Sequence, residues 1–332
     1  MFILLNKTSN WSKVTTYEII TLCESNSVIN SSIEYQTMIK TAWVFPGQGS
    51  QKVNMGIDLQ TIPAASTKFE IAEKILGWSV LDVCKQDEAT LSQTLYTQPC
   101  LYVIEAIIAD LLIEKTGLPQ LLAGHSLGEY IALYSAGVFD FESGLSLVKK
   151  RAELMSNAAG GKMAALMKFD RQQLEDLIHT TEDVVIANDN SSGQVVVSGT
   201  PEAVSELLTQ VKAKRIVELS VSGAFHSPLM TEASEQFQNI LEQVTFNEAK
   251  VPVLSNVDPT PTTKAIKLKQ RLEAQMTGSV RWREIMNQLT VQKVNKVIEV
   301  GPGKVLSGLV KRACKDIELI NVGTVEELEQ LG

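Results

Sequence analysis

Strand-like and helix-like segments alternate along this chain, and in its middle they follow the order β-α-β-β-α-β. In that middle part, strands are predicted at 163–169, 184–188, 194–199 and 215–221, and helices at 171–179 and 201–212. Because helices and sheets each bury an apolar face against another layer, this alternation favours an α/β architecture. The middle segment, at about 60 residues, has the order and size of a split βαβ unit.

The middle unit interrupts a larger one. We therefore expect a ferredoxin-like small subdomain over 161–222, inserted into a larger subdomain with a mainly parallel sheet that comprises 38–160 and 223–332. Residues 1–37 are rich in Ser, Thr and Asn, and we interpret them as an upstream extension that the fold does not need. The other strands are predicted at Ala42–Phe45, Leu118–Ala123, Val251–Asn256 and Lys296–Val300, and the other helices at Leu101–Leu112, Gly128–Ala136, Phe141–Ala158, Leu229–Val244, Lys267–Met276, Arg283–Thr290 and Lys304–Cys314.

The composition argues against several classes of protein. With 38 acidic and 30 basic residues the net charge is −8, which disfavours nucleic acid as a partner. Three histidines and four widely spaced cysteines without a CxxC pair disfavour a metal site and a disulfide framework. The most apolar helix, Leu101–Leu112, contains Glu105 and Asp110 and is too short to span a membrane, and no signal peptide precedes it. We expect a reduced, cytoplasmic protein with no membrane partner, no metal and no cofactor.

Gly124-His125-Ser126-Leu127-Gly128 follows a predicted strand and opens a predicted helix. This is the G-x-S-x-G pattern in the context of a nucleophile elbow, where glycines allow a sharp turn and the serine stands at a helix N-terminus. The N–H of Leu127 would face a developing oxyanion, which the helix dipole also favours. A turn that contains a serine by chance is the simpler interpretation, but the context favours Ser126 as a nucleophile.

A nucleophilic serine needs a base, and the chain has three histidines. His179 ends a polar helix and should be solvated, while the side chain of His125 should leave the elbow in another direction. His226 lies in a loop and follows the serine along the chain, as in α/β-hydrolases, so we favour it over a histidine that only bonds to the loop backbone. The turn Gly47-Gln48-Gly49-Ser50 is a candidate second source of an oxyanion N–H, or a turn that simply needs glycines.

Arg151 stands on the apolar stripe of its predicted helix, because Leu147, Leu154 and Met155 lie at i−4, i+3 and i+4. A buried guanidinium without an anionic partner is strongly unfavourable. The partner could be an Asp or Glu of this chain, or the side chain could extend to the surface. Alternatively, the partner is the carboxylate of a substrate, held in a bidentate pair.

The segment Gly301-Pro302-Gly303-Lys304 follows a strand and opens a helix. A phosphate site is conceivable at such a position. The segment lacks the spacing of both glycine-rich phosphate-binding patterns, so we interpret it as a structural turn.

Several motifs occur together and in order between residue 38 and about residue 325. The set resembles the malonyl-CoA:acyl carrier protein transacylase family of type II fatty acid synthesis, to which the acyltransferases of polyketide synthases are related. No single motif is specific, but the joint match is. The motifs are Phe45-Pro46-Gly47-Gln48-Gly49-Ser50-Gln51, Thr97-Gln98-Pro99, Gly124-His125-Ser126-Leu127-Gly128-Glu129-Tyr130, Arg151 with Met155, Gly223-Ala224-Phe225-His226-Ser227-Pro228 and Glu299-Val300-Gly301-Pro302-Gly303-Lys304-Val305-Leu306.

The resemblance implies an α/β-hydrolase-like fold and a ping-pong reaction. Ser126 would take the malonyl group from malonyl-CoA as an ester and pass it to the phosphopantetheine thiol of acyl carrier protein, with His226 as general base and then general acid. Ser279, where the family often has proline, departs from the pattern and puts only local loop geometry in doubt. The resemblance further implies that the N–H groups of Gln48 and Leu127 form the oxyanion hole, that Arg151 pairs with the malonyl carboxylate, that Gln98 and His125 help to bind the substrate, and that a main-chain carbonyl at Gln275 orients the histidine.

An acidic carrier protein must meet a local basic face, because this chain is itself acidic. Two clusters are candidates, although such runs are usually solvated helix faces: Lys264, Lys267, Lys269 and Arg271, and Lys311, Arg312 and Lys315. We expect a monomer. The alternatives are a polyketide synthase acyltransferase that acts in trans, an acyl-thioester hydrolase on the same fold, and an inactive scaffold. An editor of neutral acyl chains has no evident use for Arg151, and the presence of both Ser126 and His226 disfavours the scaffold.

Overall fold

The computed structural model describes residues 40–331 except 159 and 222. The extension predicted at 1–37 lies outside the described residues, as does Cys23. Strands and helices alternate along the described part of the chain. The strands are β1 (Thr41–Phe45), β2 (Leu121–Gly124), β3 (Lys162–Phe169), β4 (Val184–Ser191), β5 (Gln194–Gly199), β6 (Ala213–Glu218), β7 (Val253–Leu254), β8 (Lys296–Val300) and β9 (Glu318–Val322). The α-helices are α1 (Pro63–Leu76), α2 (Val80–Cys84), α3 (Glu88–Leu91), α4 (Thr94–Thr116), α5 (Gly128–Ser135), α6 (Phe141–Asn157), α7 (Arg171–Thr180), α8 (Pro201–Gln210), α9 (Thr231–Leu241), α10 (Ala265–Glu273), α11 (Trp282–Val291), α12 (Val305–Ala313) and α13 (Val325–Glu329).

The larger sheet has the strand order β7-β2-β1-β8-β9, and each neighbouring pair is parallel. Side chains of β1 alternate between two cores, with Trp43 and Phe45 in one and Ala42 and Val44 in the other. Burial on both faces explains why this strand is a continuous apolar run. The register pairs Phe45 with Gly124, so the loops that follow β1 and β2 meet at the carboxyl edge of the sheet, where α/β proteins build their sites.

Helix α4 passes through the larger core. The helix has 23 residues, and an 18-residue stretch of it has a mean hydropathy of 1.4, so it is long and apolar enough to cross a membrane, but 78% of that stretch is buried inside the protein. Such burial is expected of a helix that packs in a protein core. The prediction of a helix confined to Leu101–Leu112 was wrong in length, because the helix begins at Thr94 and continues to Thr116.

The smaller sheet is antiparallel and has the strand order β4-β5-β3-β6. One face packs against α7 and α8 through apolar side chains such as Leu166, Leu174 and Leu207. The opposite face turns Met163 and Val196 toward the larger core. The backbone of β4 is tied to the loop before α11, because Asp189 N donates to Val280 O at 2.9 Å and Val280 N donates to Ala187 O at 2.8 Å.

The predicted mixed α/β fold with a parallel sheet is confirmed. Most predicted elements are present with altered ends, but the strand predicted at Val251–Asn256 is reduced to Val253–Leu254. Residues 255 and 256 leave the ladder, and the Asn256 side chain bonds to the turn after β2 instead. The strand Glu318–Val322, which lies at the sheet edge beside β8, was not predicted. Helices α1, α2, α3 and α13 were also missed.

Candidate active site

Ser126 occupies the turn between β2 and α5 in a left-handed conformation, with φ of 52°. Left-handed backbone is strained for a residue other than glycine and often marks a functional position. The flanking glycines serve close packing rather than the turn angle itself. A Cβ at Gly124 would lie 1.9 Å from Gly128 C, and one at Gly128 would lie 2.0 Å from Phe45 O. Only glycines let β1, β2 and α5 approach closely enough to hold this elbow.

Two side chains from distant segments hold the main chain of Ser126. Asn256 Oδ1 accepts from Ser126 N at 2.7 Å, and Asn256 Nδ2 donates to Gly124 O at 2.6 Å. Gln275 Nε2 donates to Ser126 O at 3.0 Å. Both the N–H and the C=O of Ser126 are therefore hydrogen-bonded despite its strained backbone. The role of Asn256 was missed in the sequence, where the only signal was a polar residue at the carboxyl end of a predicted strand.

His226 lies beside Ser126, with its Nε2 atom 2.7 Å from Ser126 Oγ. Its Nδ1 atom lies 2.9 Å from the main-chain O of Gln275 and 3.1 Å from that of Gly278. A carbonyl oxygen can only accept, so Nδ1 carries the proton of the neutral ring and Nε2 is free to accept from Ser126 Oγ. His226 also has a left-handed backbone, with φ of 57°, and is 4% exposed.

The electrostatic surroundings keep His226 neutral. Burial and then the positive charge of Arg151 lower the pKa of His226 to about 3, and the hydrogen bonds to the carbonyls of Gln275 and Gly278 oppose this shift only in part. The imidazole is therefore unprotonated near neutral pH. It can accept the hydroxyl proton of Ser126, which is the state that a general base requires.

Arg151 projects from α6 into the same site and is 1% exposed. Its Nη1 donates to Gln98 Oε1 at 2.7 Å, and its Nη2 donates to Ser126 Oγ at 3.1 Å and to Gln275 Oε1 at 3.3 Å. Among the described residues no Asp or Glu forms an ion pair with it. Burial lowers the pKa of Arg151, but a guanidinium remains charged near neutral pH. The site thus holds a buried cation that only neutral groups contact directly.

A cavity of about 210 Å³ opens next to these groups. Met155 and Met163 give its wall an apolar part, and Asn188 and Gln194 of the smaller sheet give it polar edges. The hydroxyl of Ser126, the imidazole of His226 and the guanidinium of Arg151 therefore converge on one cleft. The further lining residues are Pro46, Gly47, Gln48, Gly49, Ser50, Gln98, His125, Leu127, Asn190, Val196, Leu219, Val221, Phe225, Val305, Leu306 and Leu309.

Gln48 and Leu127 bring two backbone N–H groups to the cleft. In the described part of the chain, neither N–H donates to a backbone or side-chain acceptor. The turn at Gly47 packs tightly on the elbow, since a Cβ there would lie 2.4 Å from His125 O. Backbone donors without a protein acceptor, on residues that line the same cleft as the serine, are what an oxyanion hole requires.

His125 and His179 occupy different surroundings. His125 Nε2 lies 2.8 Å from Asn190 Oδ1, and its ring packs 5.5 Å from that of Trp282. Burial lowers the pKa of His125. Its side chain borders the cleft but is bound to Asn190 rather than to Ser126. His179 is exposed at the end of α7, as predicted.

The N–H groups that follow the turn at Gly301–Lys304, at the start of α12, are already bonded to a side chain of β8. Glu299 Oε1 accepts from Leu306 N at 3.0 Å and Oε2 accepts from Ser307 N at 2.7 Å. A carboxylate of this chain thus occupies the donors at the start of α12 that a phosphate would need. Gly301 and Gly303 have φ of 133° and 88°, which explains the glycines by backbone conformation alone.

The two basic clusters differ in how far their charge is compensated. Lys264 Nζ lies 3.2 Å from Glu248 Oε2, and Arg271 is paired with Asp258. Lys311, Arg312 and Lys315 are exposed and form no ion pair within the described residues. The second cluster therefore offers more free positive charge to a partner.

The described residues form neither a cluster of metal-ligating side chains nor a disulfide. Within residues 40–331 as described, no group of three His, Cys, Asp or Glu side chains could hold a metal ion. Cys84, Cys100 and Cys314 are unpaired thiols.

The comparisons with known proteins all match acyltransferases. Residues 42–329 match the acyl transferase domain family. The chain is 57% identical over 293 residues to the malonyl CoA-acyl carrier protein transacylase of Synechocystis, which covers 88% of this chain and all of that protein. It is 40% identical to a polyketide biosynthesis malonyl CoA-acyl carrier protein transacylase, PksC of Bacillus subtilis, with 83% and 98% of the two chains covered. The crystal structure of the Synechocystis enzyme superposes with a TM-score of 0.87, over 88% of this chain and 100% of that one. A malonyl-transacylase in complex with a type II polyketide synthase acyl carrier protein superposes with a TM-score of 0.82 at 36% identity, over 87% and 98% of the chains.

Proposed function

Since the chain belongs to the malonyl-CoA:acyl carrier protein transacylase family, we propose that it transfers the malonyl group of malonyl-CoA to the phosphopantetheine thiol of acyl carrier protein, supplying extender units for fatty acid synthesis. The observation that carries the proposal is the buried guanidinium of Arg151, 3.1 Å from Ser126 Oγ. The carboxylate of Glu129 acts on this charge only from behind the Gln275 amide, so the free carboxylate of a malonyl thioester would be its direct counter-ion beside the nucleophile.

In the first half-reaction His226 Nε2 takes the proton of Ser126 Oγ, and the oxygen attacks the thioester carbonyl carbon. The N–H groups of Gln48 and Leu127 stabilise the resulting oxyanion. The intermediate collapses, the carbon–sulfur bond breaks, and His226 returns the proton to the departing CoA sulfur. The malonyl group is left as an ester on Ser126.

In the second half-reaction the phosphopantetheine thiol enters the cleft. His226 takes the thiol proton, the sulfur attacks the ester carbonyl, and the same two N–H groups hold the oxyanion. Collapse breaks the bond to Ser126 Oγ, which recovers its proton from His226. In this scheme Gln98 holds Arg151 through Nη1, and Gln275 holds Nη2 while its main-chain carbonyl orients His226. His125 lines the cleft beside the acyl site, and its contact with Asn190 holds its ring there.

The acyl-enzyme supplies the test of this function. With the full chain and malonyl-CoA labelled in the acyl group, label should attach to Ser126 and move to carrier protein when its holo form is added. Ser126→Ala should carry no label. Label that persists in this variant would refute the assignment, and release of free malonate faster than transfer to carrier protein would favour an acyl-thioester hydrolase.

We propose that the carrier protein docks beside α12. The first residues of this helix, Val305 and Leu306, line the cleft, and Val305 shares a helix face with Arg312 at i+7. Arg312 and its neighbour Lys311 carry free positive charge, which suits an acidic partner. Lys311→Glu/Arg312→Glu should raise KM for carrier protein and leave acylation by malonyl-CoA intact. Lys267→Glu/Lys269→Glu on α10 is the matched control, and an equal rise in KM there would contradict the assignment.

The finer architecture is also part of the proposal. The strand order β4-β5-β3-β6 with two helices on one face supports a ferredoxin-like subdomain at 161–222. The parallel sheet with Ser126 at an elbow after β2 supports an α/β-hydrolase-like subdomain formed by 38–160 and 223–332. We assign the protein to the cytoplasm and expect it to act as a monomer.

A further inference from the structure

We propose that the buried carboxylate of Glu129 is a positioning group for this reaction, acting by fixing Gln275 and Asn256. Glu129 lies in the first turn of α5, three residues after Ser126, and is 0% exposed. Its Oε2 accepts from Gln275 Nε2 at 2.8 Å and from Asn256 N at 3.1 Å. Burying a carboxylate is unfavourable unless its bonds compensate, so its place beside the nucleophile calls for a role. The inference rests on the function proposed above for Ser126, His226 and Arg151.

Gln275 is the link between Glu129 and the reacting groups. Its Oε1 accepts from Arg151 Nη2 at 3.3 Å, and its main-chain O accepts from His226 Nδ1 at 2.9 Å. Its Nε2 donates both to Glu129 and to Ser126 O. A single residue thus contacts the nucleophile, the base and the guanidinium.

The polarity of these bonds determines how the Gln275 amide is oriented. An amide can turn by half a rotation and exchange its oxygen and nitrogen. A carboxylate only accepts, so Glu129 selects the orientation that directs Nε2 toward itself and leaves Oε1 for Arg151. In the opposite orientation an NH₂ group would face the guanidinium and an oxygen would face the carboxylate, and both contacts would be repulsive.

Asn256 is the second group that Glu129 holds. The main-chain N of Asn256 donates to Glu129, while its side chain bonds to Ser126 N and Gly124 O. Loss of the Glu129 acceptor would free this main chain and with it the support of the left-handed Ser126. Glu129 therefore acts on the elbow through one neighbour and on Arg151 and His226 through the other.

Glu129→Met tests this role, because methionine has a similar shape and cannot accept these bonds. We expect kcat/KM for malonyl-CoA to fall by roughly 10²-fold, the effect of a displacement of about 1 Å in a site. Transfer of acetyl from acetyl-CoA should fall by only about 10-fold, because a neutral acyl group makes no use of Arg151. Glu129→Gln keeps an oxygen that can accept both bonds that Oε2 now accepts, so it should recover most of the malonyl selectivity.

Two outcomes would overturn the proposal. One is an equal loss of malonyl and acetyl transfer in Glu129→Met, and the other is a selectivity loss in Glu129→Gln as large as in Glu129→Met. Gln275→Met gives an additional check. If Glu129 acts on selectivity through Gln275, the double variant Glu129→Met/Gln275→Met should prefer malonyl over acetyl as strongly as Gln275→Met alone. If Glu129→Met does not fold, Glu129→Asp replaces it, since a side chain shorter by one methylene cannot reach both partners; wild-type selectivity there would also overturn the proposal.

Arg151→Ala, measured in the same assay, separates this inference from the proposed function. If Arg151→Ala lowers malonyl and acetyl transfer equally, the proposed role of the guanidinium is wrong. If Arg151→Ala lowers malonyl transfer more than acetyl transfer while Glu129→Met lowers both equally, only the positioning role of Glu129 is wrong.

Discussion

Arg151→Ala is expected to lower malonyl transfer far more than acetyl transfer. The guanidinium is 1% exposed and donates at 2.7 to 3.3 Å to Gln98, Ser126 and Gln275. Removing one partner of a buried ion pair costs about 3–5 kcal/mol, and the lower end applies because the cleft is open and water can enter the vacated space. About 3 kcal/mol corresponds to roughly 10²-fold in kcat/KM. Any other effect of the substitution should lower acetyl transfer as well. The ratio of kcat/KM for malonyl transfer to kcat/KM for acetyl transfer therefore isolates the contact with the carboxylate.

The assay offers malonyl-CoA or acetyl-CoA to the enzyme with one holo carrier protein and compares kcat/KM for the two. Lys150→Ala is the matched control, because Lys150 precedes Arg151 on α6 but is half-buried and pairs with Glu153 at 3.2 Å. Its malonyl-to-acetyl ratio should match the unsubstituted enzyme. Equal losses of both activities in Arg151→Ala would refute the reasoning, since the guanidinium would then serve the fold or the nucleophile alone.

Four further outcomes are expected. The pKa of His226 near 3 means that kcat/KM should not fall between pH 8 and about pH 6, where an ordinary histidine gains its proton; Arg151→Ala removes a charge that lowers this pKa, so the acid limb should move to higher pH. The same depressed pKa means that the unfolded chain binds a proton at His226 before the folded one does, so the free energy of unfolding should decrease as pH falls from about 6.5 toward 3, as chemical denaturation would measure. Asn256→Ala leaves Ser126 N without its acceptor and should slow labelling of Ser126 by a fluorophosphonate by about 10-fold or more, with a normal rate counting against its support of the elbow. Gly128→Ala puts a Cβ 2.0 Å from Phe45 O and should prevent folding or lower Tm strongly, whereas Gly308→Ala, whose Cβ would meet no atom closer than 3.6 Å, should not; circular dichroism distinguishes them.

Local patterns in the sequence were sufficient to predict the elbow and the buried arginine. Ser126 was recognised because a strand, a G-x-S-x-G turn and a helix adjoin along the chain. Arg151 was recognised because its neighbours at i−4, i+3 and i+4 are apolar, and its burial in the structure agrees with that pattern. Such features depend on residues close in sequence, which periodicity can detect.

The supporting network could not be predicted in the same way. Asn256 and Gln275 lie 130 and 149 residues from Ser126, and no local pattern marks a side chain that bonds across such a separation. Gln275 was identified only through the family resemblance, and only for its main-chain carbonyl. Its amide, which contacts Arg151, Glu129 and Ser126 O, was seen only in the structure.

Errors in the predicted fold also have physical causes. The edge strand Glu318–Val322 is mostly half-exposed and lacks the continuous apolar run of β1. The strand predicted at Val251–Asn256 is short because Asn256 is used by the elbow rather than by the ladder. In both cases tertiary contacts, rather than local propensity, determine whether these residues form a strand.

A structure of the malonyl-enzyme would test the central claim most directly. Crystals of the full chain soaked with malonyl-CoA in the absence of carrier protein should show the malonyl group esterified to Ser126 Oγ. We predict its carboxylate within hydrogen-bond distance of both terminal nitrogens of Arg151, and its carbonyl oxygen at the N–H groups of Gln48 and Leu127. An acyl group on another residue, or a carboxylate directed away from Arg151 into solvent, would contradict the account.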